Sequence, residues 1–381
     1  MISSMFKRLS SFINNIKLFF SLLDILTVLK KSKPKFVFFS EDKSYQKFSM
    51  LIIDTLCKKY SDQIYYFSID KEDKINNKNV RNYFINPLLL NYFFKNIKSE
   101  NMFLTVTNLG NHFIKDSKNI DKYIYYFHAA VSTTKNYTPQ AFDNYDIILC
   151  NGQFQIDEIR FRENLKNLNS KKLIPTGYFY FDYLIENINK SINSDEILIA
   201  PSWNKDLKNF INENFFELIE ILLKKNHKII FRPHPENLKR SKNILNTIKN
   251  KFMSENFTFD TDDNNIKSME KARCLITDSS GIALEYMIVF KKPVLYLNEF
   301  DKIHNTEFKD YLGLKTIDHK IKEDFGYLFN KDDFYKIENI IKNSEENFLK
   351  NIPELEKLIN KTYFNYSNTR EYLNSNIEKI I

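Results

Sequence analysis

The chain is short of the residues that make turns and cross-links. Glycine occurs six times in 381 residues, proline nine times, cysteine three times and tryptophan once. So little glycine and proline, scattered without period, excludes a collagen-like repeat, a flexible linker array and a loop-rich sandwich. The three cysteines, Cys57, Cys150 and Cys274, are odd in number and far apart, and two of them end or lie within apolar runs. They read as reduced core residues of a cytosolic protein, not as a disulfide framework. No GxxxxGK phosphate loop, dinucleotide fingerprint or paired-cysteine motif is present, and His112, His227, His304 and His319 are not spaced as metal ligands. Long apolar runs are missing too. Between Phe6 and Leu29 the apolar residues are interrupted by Lys7, Arg8, Lys17 and Asp24, and no small-residue cleavage site follows. The segment therefore reads neither as a signal peptide nor as a transmembrane helix.

What is abundant is apolar and charged side chains, 43% and 27% of the chain, which supplies enough core for two domains and excludes intrinsic disorder. Lysine and arginine number 56 against 48 aspartate and glutamate, a net charge of +8. The excess is interleaved with acids along the whole chain and forms no basic stripe. Most of the many Phe and Tyr residues fall inside strand-like runs such as Tyr123 to Phe127, so no nucleic-acid partner is expected. The amphipathic first segment admits two readings: a basic interfacial helix on an anionic membrane surface, or a helix packed on the first domain.

From Pro34 onward, short β-branched or aromatic runs alternate with polar, helix-compatible stretches. Lys35 to Ser40, Gln63 to Ser68, Met102 to Thr107, Tyr123 to Phe127 and Asp146 to Cys150 read as buried strands. A second series runs from Glu196 to Ala200 through Lys228 to Phe231, Phe257 to Phe259 and Arg273 to Thr277 to Pro293 to Leu297. Strands alternating with helices imply parallel sheets. The expected fold is α/β of the GT-B kind, two doubly wound Rossmann-like domains facing across a cleft. Residues 1–184 form the first domain, 185–195 an Asn- and Lys-rich linker, and 196–350 the second domain. A C-terminal helical segment, 351–381, can fold back on the first domain.

Ligands of such sheets bind beyond the carboxyl ends of the strands, so polar residues that directly follow strands are the candidates. His128 leaves the strand Tyr123 to Phe127, where an imidazole can take a proton from a hydroxyl; a loop histidine is the plain alternative. Arg232-Pro233-His234-Pro235 leaves Lys228 to Phe231, its prolines stiffening a turn that presents a guanidinium and an imidazole in one direction, an arrangement suited to a phosphate or diphosphate. The run Thr277-Asp278-Ser279-Ser280-Gly281 opens a helix that carries Glu285. It reads as an anion site, with Asp278 or Ser279 as the helix cap. Ala200-Pro201-Ser202-Trp203-Asn204 closes the first strand of the second domain, and Gly177 permits a tight turn within Pro175 to Asp182.

In order and spacing these clusters resemble the CDP-glycerol glycerophosphotransferase family, GT-B enzymes that build teichoic-acid and capsule polymers. The resemblance covers about residues 100 to 300. Ala129 stands where the family usually has glycine after the histidine, and Ser279-Ser280-Gly281 replaces a Tyr followed by two Ser after Thr-Asp. The latter turn also looks like that of the non-hydrolysing UDP-N-acetylglucosamine 2-epimerases, which leaves the donor nucleotide open. The resemblance implies His128 and His234 as the catalytic pair. It implies donor binding by Arg232, Thr277, Asp278, Ser279, Ser280, Gly281, Glu285, Pro201, Ser202 and Trp203, with Ser132, Thr133 and Gly177 on the acceptor side. It further implies transfer of a polyol phosphate from a CDP-activated or other nucleotide-activated donor to a glycan or polymer hydroxyl, with no obligatory metal or cofactor, in the cytoplasm or on the inner face of the plasma membrane. Two other classes stay open: a GT-B glycosyltransferase using a nucleotide sugar, and a non-catalytic module binding polyanionic polymer.

Overall fold

The computed structural model describes residues 2–111, 114–189, 191–192, 195–203, 211, 213–297, 303–311, 314 and 316–381, with side chains described from position 15 onward except at position 213. Seven strands form the first sheet: β1 (Phe36–Ser40), β2 (Ile64–Ser68), β3 (Val80–Phe84), β4 (Ser99–Leu104), β5 (Ile120–Tyr126), β6 (Ile147–Cys150) and β7 (Lys172–Pro175). All pairings are parallel, in the order β3-β2-β1-β4-β5-β6-β7. Six strands form the second: β8 (Glu196–Ile199), β9 (Ile229–Phe231), β10 (Phe257–Phe259), β11 (Ala272–Thr277), β12 (Val294–Leu297) and β13 (Tyr327–Phe329). They too are parallel, in the order β10-β9-β8-β11-β12-β13. The central strands β1, β2 and β6 are buried along their whole length, as strands covered by helices on both faces must be. The fold is the expected pair of doubly wound α/β units.

Three strands escape the sequence pattern. β3, β7 and β13 read Val-Arg-Asn-Tyr-Phe, Lys-Leu-Ile-Pro and Tyr-Leu-Phe; they are short edge strands whose exposed positions dilute the apolar signal. β4 begins three residues earlier than its apolar run because Ser99 and Asn101 are tied to the start of β1, Asn101 N–H donating to the Lys35 carbonyl at 3.1 Å. The strand order reverses between β1 and β4 in one sheet and between β8 and β11 in the other. At such a switch point successive loops leave in opposite directions and open a crevice.

The chain's end returns to the first sheet. After the helix Ile337–Thr362, Tyr363 pairs with Gly152 as an antiparallel bridge, the Phe364 N–H donates to the Asn151 carbonyl at 2.8 Å, and the helix Thr369–Asn376 begins with Thr369 N–H donating to Asp182 Oδ1 at 2.9 Å. Arg370 and Glu186 form a two-pronged ion pair at 2.6 and 2.5 Å. One hydrophobic core accordingly runs from Phe38 and Phe103 of the first sheet through Leu355, Ile359 and Tyr363 to Leu284 and Met287 beside the second. The other face of the second sheet has its own core around Phe215, Leu218 and Phe231.

The N-terminal helix, Ile2–Ser32, packs on the first domain through Leu22, Leu26 and Leu29, all fully buried, and Phe19 lies 5.5 Å from the Tyr92 ring. That is the second of the two readings of this segment for its latter half; the side chains of Lys7, Arg8, Phe12 and Ile13 lie outside the described residues. No described helix is long and apolar enough to cross a membrane.

Gly152 and Gly177 are where the returning segment meets the first sheet at closest quarters, and Gly177 has the more constrained backbone. Its φ of +91° is left-handed, and a Cβ there would stand 2.2 Å from the Phe364 carbonyl oxygen and 2.6 Å from Thr369 Cγ2. Gly177→Ala is expected to lower stability by about 2–3 kcal/mol, from backbone strain together with displacement of the C-terminal segment. Chemical denaturation measures it, and a loss under about 0.5 kcal/mol contradicts this placement.

Candidate active site

The two switch points face each other across a cleft of about 770 Å³, lined from both lobes. His128 follows β5 and is half-buried, ringed by Tyr45, Phe48 and Tyr137 at centroid distances of 5.3, 6.1 and 6.1 Å. Its Nδ1 is buried with no hydrogen-bond partner among the described residues. Burial among these rings pushes the imidazole down to about 4, against a smaller opposing effect of the Thr105 backbone. His128 is therefore neutral near pH 7, the form that can accept a proton.

His234 is built differently. It caps the helix Pro235–Arg240, and its Nδ1 accepts from the Glu236 N–H at 3.1 Å. Pro235 at the first helical position needs no hydrogen bond of its own and holds the backbone for this cap. With Nδ1 accepting, the ring proton of neutral His234 resides on Nε2. Each lobe thus brings one imidazole to the cleft, and that of His234 has its Nε2–H fixed by the cap.

The remaining expectations sort by what each side chain touches. Pro201, Trp203, Arg232, Ser279, Ser280, Gly281 and Glu285 line the cleft. Arg232 lines it already engaged: Nη1 lies 2.5 Å from Asp260 Oδ2 and Nη2 donates to the Asp262 carbonyl at 2.5 Å. Thr277, Asp278 and Ser202 do not reach the cleft. Thr277 Oγ1 donates to the Ala200 carbonyl at 2.6 Å, and Asp278 accepts from the Ser202 N–H and hydroxyl at 2.8 and 2.6 Å, so these buried groups join the loops after β8 and β11. Asp278 and Ser279 do not cap the following helix either. It runs from Ile282 to Glu285 with Gly281 at the cap position and no side-chain cap bond. Asn204 lies outside the described residues.

On the first-domain side the acceptor assignments are corrected. Ser132 and Thr133 are buried away from the cleft and spend their hydroxyls on Glu158, Thr133 through both its N–H and its hydroxyl at 2.6 Å. Burial raises the Glu158 carboxyl to about 7 even with these donors. Gly177 serves the docking of the C-terminal segment, as its contacts with Phe364 and Thr369 show. Ala129 lies opposite Gly281, whose Cβ position would stand 3.8 Å from the Ala129 methyl across the lobes. At that distance a methyl on residue 281 would make an ordinary contact, so Ala129 does not depend on the glycine facing it.

The segment following β1 contributes residues that the sequence reading missed. Glu41, Asp42, Lys43, Tyr45 and Lys47 line the cleft together with Asp70, Glu236 and Lys239. Asp42 pairs with Lys239 of the second lobe at 2.7 Å, and Lys43 with Asp263 at 3.3 Å, two ion pairs that span the cleft. Burial and the neighbouring Asp42 push the Glu41 carboxyl up to about 7. Lys47 opposes Glu285, a buried carboxylate that accepts from the Tyr178 hydroxyl at 2.9 Å. Burial raises Glu285 and lowers Lys47, while the attraction between them works the other way in each case. The signal was available, because Glu41 to Lys47 is a polar run directly after a strand. His304, set aside for lacking metal-ligand spacing, stacks on Trp203 at 6.3 Å and lines the cleft. Among the described residues no group of three or more His, Cys, Asp or Glu has the geometry to hold a metal ion.

With this geometry in hand, the sequence was compared with known proteins. The family described as CDP-Glycerol:Poly(glycerophosphate) glycerophosphotransferase matches residues 22–313. The chain belongs to this family. It is accordingly a transferase, and the match takes in β1 to β12 and every cleft-lining residue named above. No curated protein sequence matches the chain. Among solved structures, the wall teichoic acid polymerase TagF is similar at 13% identity and a TM-score of 0.60, covering 96% of this chain and 97% of that one. The S. aureus MnaA-UDP co-structure is similar at 12% identity and 0.55, covering 91% and 96%. The Methanocaldococcus jannaschii UDP-GlcNAc 2-epimerase in complex with UDP-GlcNAc and UDP follows at 14% identity and 0.53, covering 91% and 99%. At these identities the likeness establishes a shared fold.

The burial of His128 makes a measurable statement. In the folded protein it stays neutral between about pH 4 and 6.5, where the unfolded chain takes up a second ring proton, so acid in that window works against the native cleft. Histidine NMR across a pH titration should show His128 still neutral at pH 5.5. An imidazole at this position titrating near its ordinary 6.5 contradicts the burial described here.

Proposed function

We propose that the protein transfers a glycerophosphate group from CDP-glycerol to a hydroxyl at the end of a polymer. The observation that carries this is a single cleft to which opposite lobes bring two imidazoles, His128 neutral and ringed by aromatics, His234 with its proton on Nε2. The family match supplies the substrate class, and a TagF variant structure bearing CDPG supports the choice of donor. The second lobe holds the nucleotide, with Arg232, Ser279 and Ser280 toward the diphosphate and Trp203 beside the base.

The acceptor oxygen attacks the distal phosphorus of the donor while His128 takes its proton. The bond from that phosphorus to the bridging oxygen breaks, and CMP leaves with the electron pair on its phosphate. His234 Nε2–H and Arg232 stand where that charge develops, which is where fixed donors lower a barrier most. The donor's negative charge raises the His128 pKa from its low value in the empty cleft, because an anion favours the imidazolium. General-base assistance of this kind contributes about 10²–10⁴-fold.

An anionic membrane surface is the proposed setting. Ile16, Phe20, Leu88 and Tyr92 are exposed near the N-terminal helix, and Lys17, Lys30 and Lys95 accompany them, a composition suited to an interface that presents acyl chains beneath anionic headgroups. A nucleotide-activated donor places the reaction on the cytoplasmic side.

The test is turnover of CDP-glycerol in the presence of a glycerophosphate-primed acceptor, followed as CMP release and acceptor elongation. His128→Ala should lose about 10²–10⁴-fold in kcat, with donor affinity within about threefold of the parent. Full turnover by that variant removes His128 from the chemistry. Release of a nucleoside diphosphate from a nucleotide sugar, with CDP-glycerol inert, replaces phosphoryl transfer by glycosyl transfer.

A further inference from the structure

The cleft has an electrostatic difficulty. Among the described residues its lining carries eight carboxylates and four lysine or arginine side chains, yet the proposed donor is itself an anion with a diphosphate. Three of the four cations are already matched to carboxylates: Lys43 to Asp263 at 3.3 Å, Arg232 to Asp260 at 2.5 Å, and Lys239 to Asp42 at 2.7 Å and Glu236 at 3.0 Å. Lys47 is the exception. Its ammonium has no carboxylate within ion-pair distance among the described residues, and it rests instead over the faces of Phe48 and Tyr180, 5.3 and 5.0 Å from the ring centroids. It issues from the first turn of the helix Gln46–Lys59, so it belongs to the first lobe, while the charges it feels most strongly, Glu285 and Arg232, belong to the second.

We propose that Lys47 is a donor-binding residue, the first lobe's cation for the diphosphate. The inference rests on the reading of the cleft as a nucleotide-diphosphate site and adds to it a ligand from the opposite lobe. The aromatic faces hold the ammonium in the cleft at little cost, because a cation over a ring keeps part of the stabilisation it loses with its water. Desolvation makes such a cation readier to bind an anion: with its pKa lowered, it gains the most when a phosphate oxygen replaces the missing solvent. Lysine suits the task, since a compact point charge on a flexible stem can follow the charge from the bridging oxygen to the departing phosphate. Because Lys47 comes from the lobe that also bears His128, donor binding would register the two lobes against each other.

The experiment is calorimetric titration of wild type, Lys47→Met, Lys47→Gln and Lys47→Arg with cytidine, CMP, CDP and CDP-glycerol, with melting temperatures recorded for each protein. Two neutral variants guard against one failing to fold. If Lys47 holds the diphosphate, the neutral variants weaken CDP and CDP-glycerol by about 10- to 100-fold, the loss of one charge-assisted contact, leave cytidine unchanged, and Lys47→Arg recovers most of the affinity. Loss of cytidine binding to the same degree, or no loss for CDP, overturns the inference while wild-type CDP binding leaves the nucleotide site standing. Failure of wild type to bind any of the four ligands at millimolar concentration overturns both.

Discussion

The return of the chain's last residues to the first sheet is the constraint on which the cleft depends. Two parallel sheets with facing switch points make a site only if their separation is fixed, and here one hydrophobic core runs between them through Leu355, Ile359 and Tyr363. The same segment positions the chemistry. The Tyr363 hydroxyl donates at 2.9 Å to the carbonyl of Ala130, two residues after His128, and Tyr366 donates at 3.2 Å to the carbonyl of Ile288 beside the second sheet. A tether that touches both lobes sets the distance between their loops, and Gly152 and Gly177, lacking a Cβ, let it approach.

Within that frame the cleft is acidic, which opposes its proposed anionic ligand until the pairs are sorted. Five of the eight carboxylates are committed to cations or hydroxyls: Asp42 and Glu236 to Lys239, Asp260 to Arg232, Asp263 to Lys43, Glu285 to the Tyr178 hydroxyl. Commitment of this kind fixes side chains without leaving their charge free to repel, and two of the ion pairs cross between lobes. The groups that meet the proposed ligand are an imidazole among aromatic rings, a second imidazole whose tautomer is set by a backbone N–H, the Ser279-Ser280 turn, and the Lys47 ammonium on its rings.

Much of this was legible in the sequence, for identifiable reasons. Buried parallel strands are continuous apolar runs, so the central strands stand out, whereas β3, β7 and β13 are edge strands with exposed positions and carry no such run. The rule that ligands meet residues just past strand ends picks out His128, Arg232, His234, Ser279 and Glu285, all of which line the cleft. It picks out Thr277, Asp278 and Ser202 as well, because a hydroxyl or carboxylate that joins two loops looks the same in sequence as one that faces a ligand; the bonds of Ser202 to Asp278 and of Thr277 to the Ala200 carbonyl separate the two. Ser132 and Thr133 were misread for the same reason, their partner Glu158 lying on a helix whose buried face is not marked by apolar residues. Glu41 to Lys47 was overlooked although it obeys the rule, since no histidine or glycine draws attention to it. The role of the C-terminal segment rests on contacts between residues nearly two hundred positions apart, which one sequence does not reveal.

The most direct measurement is a crystal structure of the protein soaked with CDP-glycerol. The account predicts the diphosphate between the lobes, contacted by Arg232 and the Ser279-Ser280 turn on one side and by Lys47 on the other, with His128 facing the distal phosphorus. A nucleotide bound on an outer surface, or within the cleft but with its distal phosphorus turned away from His128, contradicts it.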